Sequence, residues 1–158
     1  MRVLIDTRIW VLALRAPVAP AGSSLARLGE RARELVVRLR EEATILFTPQ
    51  LVGEIRHVLT SRGSARLPAA VARDYLHQLL ADRRSRFRTL SRRQLQLALD
   101  LSAESGVHLW DYLVVLPWQG QIDRLLTMDP HYRHPHFREV GPVENPLGLW
   151  RHEGQPLG

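Results

Sequence analysis

Four carboxylates sit at positions from which side chains can do chemistry: Asp6, Glu54, Asp111 and Asp129. Val3-Leu4-Ile5 runs into Asp6, and Leu125-Leu126-Thr127-Met128 runs into Asp129. Each is a short apolar run of the kind that forms a buried strand. Glu54 falls in the first turns of a helix entered from a further run, Thr44-Ile45-Leu46-Phe47, and Asp111 opens a short helix. Carboxylates just past the C-terminal ends of parallel strands gather on the edge where open α/β sheets bind ligands. Once gathered they repel, and a cation resolves that repulsion. Oxygen-only donors favour Mg²⁺ or Mn²⁺ over zinc or copper, and such ions support phosphodiester hydrolysis. Each residue also has an ordinary use. Asp6 can cap the following helix, Glu54 can be a solvated helix residue, Asp111 can be an N-cap, and Asp129 before Pro130 can make an Asx-turn.

The elements that must position these groups are legible as alternating patterns. Strands are expected at 3–5, 44–47, 87–90 and 124–128, with a last edge strand near Val140. Helical spacing runs from Ile9 to Leu14, from Ser24 to near Glu41, from Thr48-Pro49 to a break at Gly63-Ser64, and onward from Pro68. Ser91-Arg92-Arg93-Gln94 is a capping box for another helix, stopped by Gly106. Val107-His108-Leu109 is too short to type, and Pro117 ends or kinks the helix that begins at Asp111. Strands alternating with helices predict an α/β sandwich with a mainly parallel sheet. The expected organisation is one domain over residues 1–140 and an extended tail over 141–158.

Composition narrows the chemistry further. The chain has 158 residues, enough for one core, and no cysteine, which removes disulfides, thiolate metal sites and cysteine nucleophiles. The net charge is +6, and all 22 basic residues are arginine. Arginine forks onto phosphate and stacks on bases, which suits a nucleic-acid partner; a genome-wide preference for arginine over lysine produces the same composition. The absence of lysine excludes Schiff-base and Walker-type mechanisms. It also counts against receiver-like and haloacid-type phosphoryl transfer; the latter further needs an aspartate at position 8, which is Arg8. No apolar stretch is long enough for a membrane span, and Asp6 and Arg8 interrupt any signal-peptide core. A cytoplasmic location is therefore the default expectation.

Leu4-Ile5-Asp6-Thr7, Glu54, Asp111 and Thr127-Met128-Asp129 followed by Tyr132, in that order, resemble the motifs of the PIN-domain ribonucleases, especially the VapC-like toxins of toxin–antitoxin pairs. The resemblance covers Met1 to about Val140. It implies a PIN-like three-layer sandwich and Mg²⁺- or Mn²⁺-dependent cleavage of RNA, with Asp6, Glu54, Asp111 and Asp129 as metal ligands. Thr7 and Thr127 fall where that family often places a hydroxyl beside the acidic cluster, in supporting roles. A protein antitoxin and a second copy of the chain are the partners it implies. Tyr112-Leu113-Val114-Val115-Leu116 meeting Pro117 departs from the longer small-residue helix usual there. The alternatives are an RNA-processing nuclease that is not a toxin, and a non-catalytic module that binds RNA or protein.

Two further clusters carry weaker signals. His131, His134 and His136 match no helical metal-ligand spacing and are expected to line a basic, RNA-facing loop or to have no role. Arg83, Arg84, Arg86 and Arg88 flank Phe87, with Arg92 and Arg93 nearby; such a run can track a phosphate backbone but is more commonly a solvated face.

Overall fold

A computed structural model describes residues 1–63 and 65–152, so Ser64 and the last six residues of the expected tail lie outside the described residues. Five parallel strands form one sheet in the order β3-β2-β1-β4-β5. They are β1 (Arg2–Ile5), β2 (Thr44–Phe47), β3 (Ser85–Phe87), β4 (Arg124–Leu126) and β5 (Val143–Glu144). Six helices connect them: α1 (Thr7–Arg15), α2 (Ser24–Glu42), α3 (Pro49–Ser61), α4 (Ala69–Ala81), α5 (Arg92–Ser105) and α6 (Leu109–Val115). The expected α/β sandwich is therefore present, with every strand parallel. None of the described helices is long and apolar enough to cross a membrane.

The central position of β1 follows from its side chains. Val3, Leu4, Ile5, Leu125 and Leu126 are wholly buried, as strands covered by helices on both faces require. Each contributes about 1.5–3 kcal/mol from burial. From β1 the chain winds outward through β2 to β3, then returns through α5 and α6 to place β4 on the other side. The winding reverses between β1 and β4, and the crevice beyond their carboxyl ends is where such sheets bind ligands.

Several boundaries differ from expectation. The third strand is Ser85–Phe87, not 87–90. Its register is set by backbone bonds from Ile45 to Arg84 and from Arg88 to Phe47, which no side-chain pattern on this exposed edge announces. Val107-His108-Leu109 forms no strand; Val107 is buried and Leu109 begins α6. Asp111 is the third residue of that helix, and His108 caps it by accepting from the Trp110 amide. The last edge strand is Val143–Glu144, not at Val140. Residues 141–152 combine β5 with a turn closed by the Gly148 amide on the Asn145 carbonyl, and they are fastened to the body. Leu125 and Thr127 donate to the carbonyls of Pro142 and Glu144, and Arg124 forks onto the Glu144 carboxylate. A Cβ on Gly141 would lie 2.5 Å from the Ile122 carbonyl oxygen, so only glycine fits this return.

One buried cation ties α1 to α3. Arg15, in the last turn of α1, donates to the carbonyls of Val58, Leu59 and Arg62 at the end of α3. The Val58 and Leu59 carbonyls also accept from the Arg62 and Leu67 amides, so Arg15 adds a second donor at this helix end. Burial lowers the Arg15 pKa from its usual value, yet a guanidinium stays charged. Arg15→Met keeps the apolar stem and removes the donors. It is expected to cost about 2–4 kcal/mol in urea unfolding; a loss below about 0.5 kcal/mol would contradict this role.

Candidate functional site

Asp6 is the first residue past β1. It occupies the N-cap position of α1, but its carboxylate makes no capping bond. Instead its amide donates to the Leu126 carbonyl at 2.9 Å, locking the end of β1 to β4. Its Oδ2 accepts from the Thr127 hydroxyl at 3.0 Å. Thr127 is wholly buried, and its hydroxyl oxygen also accepts from the Asp129 amide at 2.9 Å. One hydroxyl thus connects the two aspartates that follow β1 and β4.

Glu54 approaches from α3 and is held at both oxygens. The Thr7 hydroxyl donates to Oε2 at 2.8 Å, and the Gln50 amide donates to Oε1 at 2.7 Å. Asp129 accepts the His131 amide at 2.9 Å, so it forms the Asx-turn and faces the cluster at once. Asp111 comes in beside His131, whose Nδ1 lies 3.6 Å from Asp111 Oδ2 and 3.4 Å from Asp129 Oδ1.

The charges of these groups act on two buried side chains. Asp6 is pushed up from 3.8 to about 7, first by burial, then by the charges of Asp129 and Glu54; hydrogen bonds from Thr127 and the Thr7 amide oppose this. Tyr132 is also buried, and its pKa is raised well above the ordinary 10, first by burial and then by Asp111, Asp6, Glu54 and Asp129. Tyr132 thus feels the charge of all four carboxylates. Its hydroxyl makes no hydrogen bond among the described residues, while its ring packs edge-on against Phe137 at 4.9 Å. Tyr132→Phe is expected to leave the metal-free fold equally stable or up to about 2 kcal/mol more stable. A clear loss in thermal unfolding would show that the hydroxyl is satisfied in solution.

The Thr127 hydroxyl joins Asp6 to Asp129, the Thr7 hydroxyl orients Glu54, and His131 stands between Asp111 and Asp129, so the four carboxylates are related through intermediaries. Their oxygen chemistry suits a hard divalent cation. Two further observations fit one: burial and the charges of Asp129 and Glu54 raise the Asp6 pKa, and the buried Tyr132 hydroxyl has no hydrogen-bond partner among the described residues.

Other residues were less visible in sequence. Gln50 stands four residues before Glu54, a spacing that faces it toward that carboxylate. His131, expected on an RNA-facing loop or without a role, lies against Asp111 and Asp129. His152 joins them, its Nδ1 4.0 Å from Asp129 Oδ1 and its ring 4.9 Å from that of His131. No local pattern signals that meeting. His134 and His136 pack on each other at 4.5 Å, and His136 pairs with the Tyr112 hydroxyl at 2.9 Å. In the arginine run, Arg88 stacks over Trp118 at 4.4 Å and donates to the Pro117 carbonyl, a structural use.

Neither a family model nor a curated protein matches this sequence. Among solved structures, the chain is similar to one in the crystal structure of VapBC2 from Rickettsia felis bound to a DNA fragment from their promoter. The TM-score is 0.58 at 14% identity, covering 92% of this chain and 98% of that one. At this identity the likeness is one of architecture: the five-stranded parallel sheet and its helices form a PIN-like fold.

Proposed function

We propose that this protein is a Mg²⁺- or Mn²⁺-dependent endoribonuclease and the toxin of a toxin–antitoxin pair. The observation that carries the reading is the hydrogen-bonded link from Asp6 through Thr127 to Asp129 at the carboxyl edge of the sheet, with Glu54 and Asp111 near enough for their charge to act on buried Tyr132. When bound there, a divalent ion supplies charge neutralisation of the scissile phosphate and acidifies water. The four carboxylates would hold it. Thr127 and Thr7 act as positioning residues, fixing Asp6 and Glu54 before any ligand arrives. Beside Glu54, a groove lined by Thr7, Gln50, His57, Arg62 and half-exposed Trp110 offers an aromatic face and a cation to a single strand.

The pairing in VapBC2 supports a protein antitoxin for this chain. So do the exposed apolar residues of two helices, Val71 and Leu80 on α4 and Leu95 and Leu99 one turn apart on α5. A second copy of the chain is the other partner that such residues suit. The test is cleavage of single-stranded and structured RNA by the purified full chain in Mg²⁺, in Mn²⁺ and in chelator. Cleavage that appears with either ion and stops with chelator is the expected result. RNA left intact under all three conditions, by a folded protein freed of any bound partner, removes the nuclease reading.

A further inference from the structure

His131, His152 and Asp129 bring three donor atoms of two kinds to one point. His131 Nδ1 lies 3.4 Å and His152 Nδ1 lies 4.0 Å from the same oxygen, Asp129 Oδ1, and all three donors fall within 4.8 Å of one another. Ligands at metal–donor distances near 2.1 Å in tetrahedral array stand roughly 3.4 Å apart. The observed set needs only small side-chain rotation to meet that.

The segment bearing His152 is held from two sides. Arg8 donates to the carbonyls of Arg151 at 2.8 Å and His152 at 2.7 Å, and the Arg151 amide donates to the Met128 carbonyl at 2.8 Å. The last contact ties the segment to the residue just before Asp129. The backbone of His131 is fixed by its own bond to Asp129. Both imidazoles are thus set by backbone anchors at one carboxylate, while His152 remains open to solvent.

We infer that His131, His152 and Asp129 form a nitrogen-bearing transition-metal position at the rim of the acidic cluster. Two imidazoles and one carboxylate are a borderline-soft set with room for a further ligand, which favours Zn²⁺, Co²⁺ or Mn²⁺ over Mg²⁺. Asp111, 3.6 Å from His131, is the nearest additional oxygen donor. The position differs from an all-oxygen centre in its nitrogen donors, and it does not depend on RNA cleavage.

Calorimetry on the full chain with Zn²⁺, Mn²⁺ and Mg²⁺ in turn tests it, alongside the visible spectrum of the Co²⁺-loaded protein. The variants are His131→Ala, His152→Ala and the double substitution, each checked for unchanged far-ultraviolet circular dichroism. Zn²⁺ affinity is expected to fall at least tenfold in each single variant, with Mg²⁺ affinity changing less than threefold. The Co²⁺ spectrum is expected to change in both. His152 is exposed, so His152→Ala provides a variant whose folding is not at risk. Wild-type Zn²⁺ affinity in the double variant overturns the assignment; binding would then lie elsewhere, as at His134 and His136, and His131 would be only an ion-pair partner of the carboxylates. RNA cleavage that fails in the wild type while Zn²⁺ binding still depends on both histidines rejects the nuclease and leaves this position standing.

Discussion

Asp6→Asn is expected to lower RNA cleavage by at least about a hundredfold while making the metal-free protein more stable. The two effects share one cause. Asp6 is buried beside Asp129 and Glu54, and its pKa is displaced upward to about 7. Folding therefore holds a carboxylate where its charge is penalised, a penalty that a bound cation would relieve. Asparagine preserves shape, and its carbonyl can still accept from the Thr127 hydroxyl, so the link between β1 and β4 survives. What disappears is one unit of negative charge at the centre of the cluster. A gel assay in saturating Mn²⁺, paired with thermal unfolding in chelator, reads both consequences. Cleavage near the wild-type rate would show that Asp6 takes no part in the reaction. A fall in metal-free stability would show that its charge is already compensated.

Much of this arrangement was legible because it is local. A buried strand that must stop, followed by a helix that must start, leaves one residue at the junction, and at β1 that residue is Asp6. Thr48 and Pro49 mark the start of α3, where the Thr48 hydroxyl does accept from Leu51. The Ser91–Gln94 capping box is formed with both of its hydrogen bonds. The unread parts depend on tertiary partners. Strand β5 has only two residues and exists because β4 offers an open edge and Arg124 pairs with Glu144. His152 carries no motif, and its place is decided by Arg8 and by the Met128 carbonyl, both far away in the chain. The reading of Asp129 as a turn residue and its reading as a cluster member were set against each other in sequence; the fold uses the residue for both. One Oδ1 atom accepts the His131 amide and faces two imidazoles.

The pH dependence of stability follows from the same buried carboxylate. Its folded pKa of about 7 lies above the unfolded value near 3.8, so the folded state binds the proton more tightly. Where the folded state holds more protons, stability falls as pH rises. The penalty is absent below the unfolded value, grows by about 1.4 kcal/mol per pH unit between the two, and levels off above pH 7. A displacement of that size corresponds to about 4 kcal/mol in total. Asp82 and Glu144 act in the opposite sense. The Arg84 amide chiefly lowers the Asp82 pKa and the Arg124 fork that of Glu144, so their contributions are lost only as pH falls through the acid range. Between pH 5 and 8 the Asp6 slope is expected to dominate. In chelator the melting temperature should drop across that interval. Millimolar Mg²⁺ or Mn²⁺ should flatten the drop, because a bound cation stabilises the charged form and adds binding free energy to the folded state. Asp6→Asn should flatten it without any ion. An equal slope in wild type and Asp6→Asn would remove Asp6 as its origin. A slope unchanged by either ion would mean that the cluster does not take up a divalent cation, and the proposed reaction would lose its charge-neutralising partner.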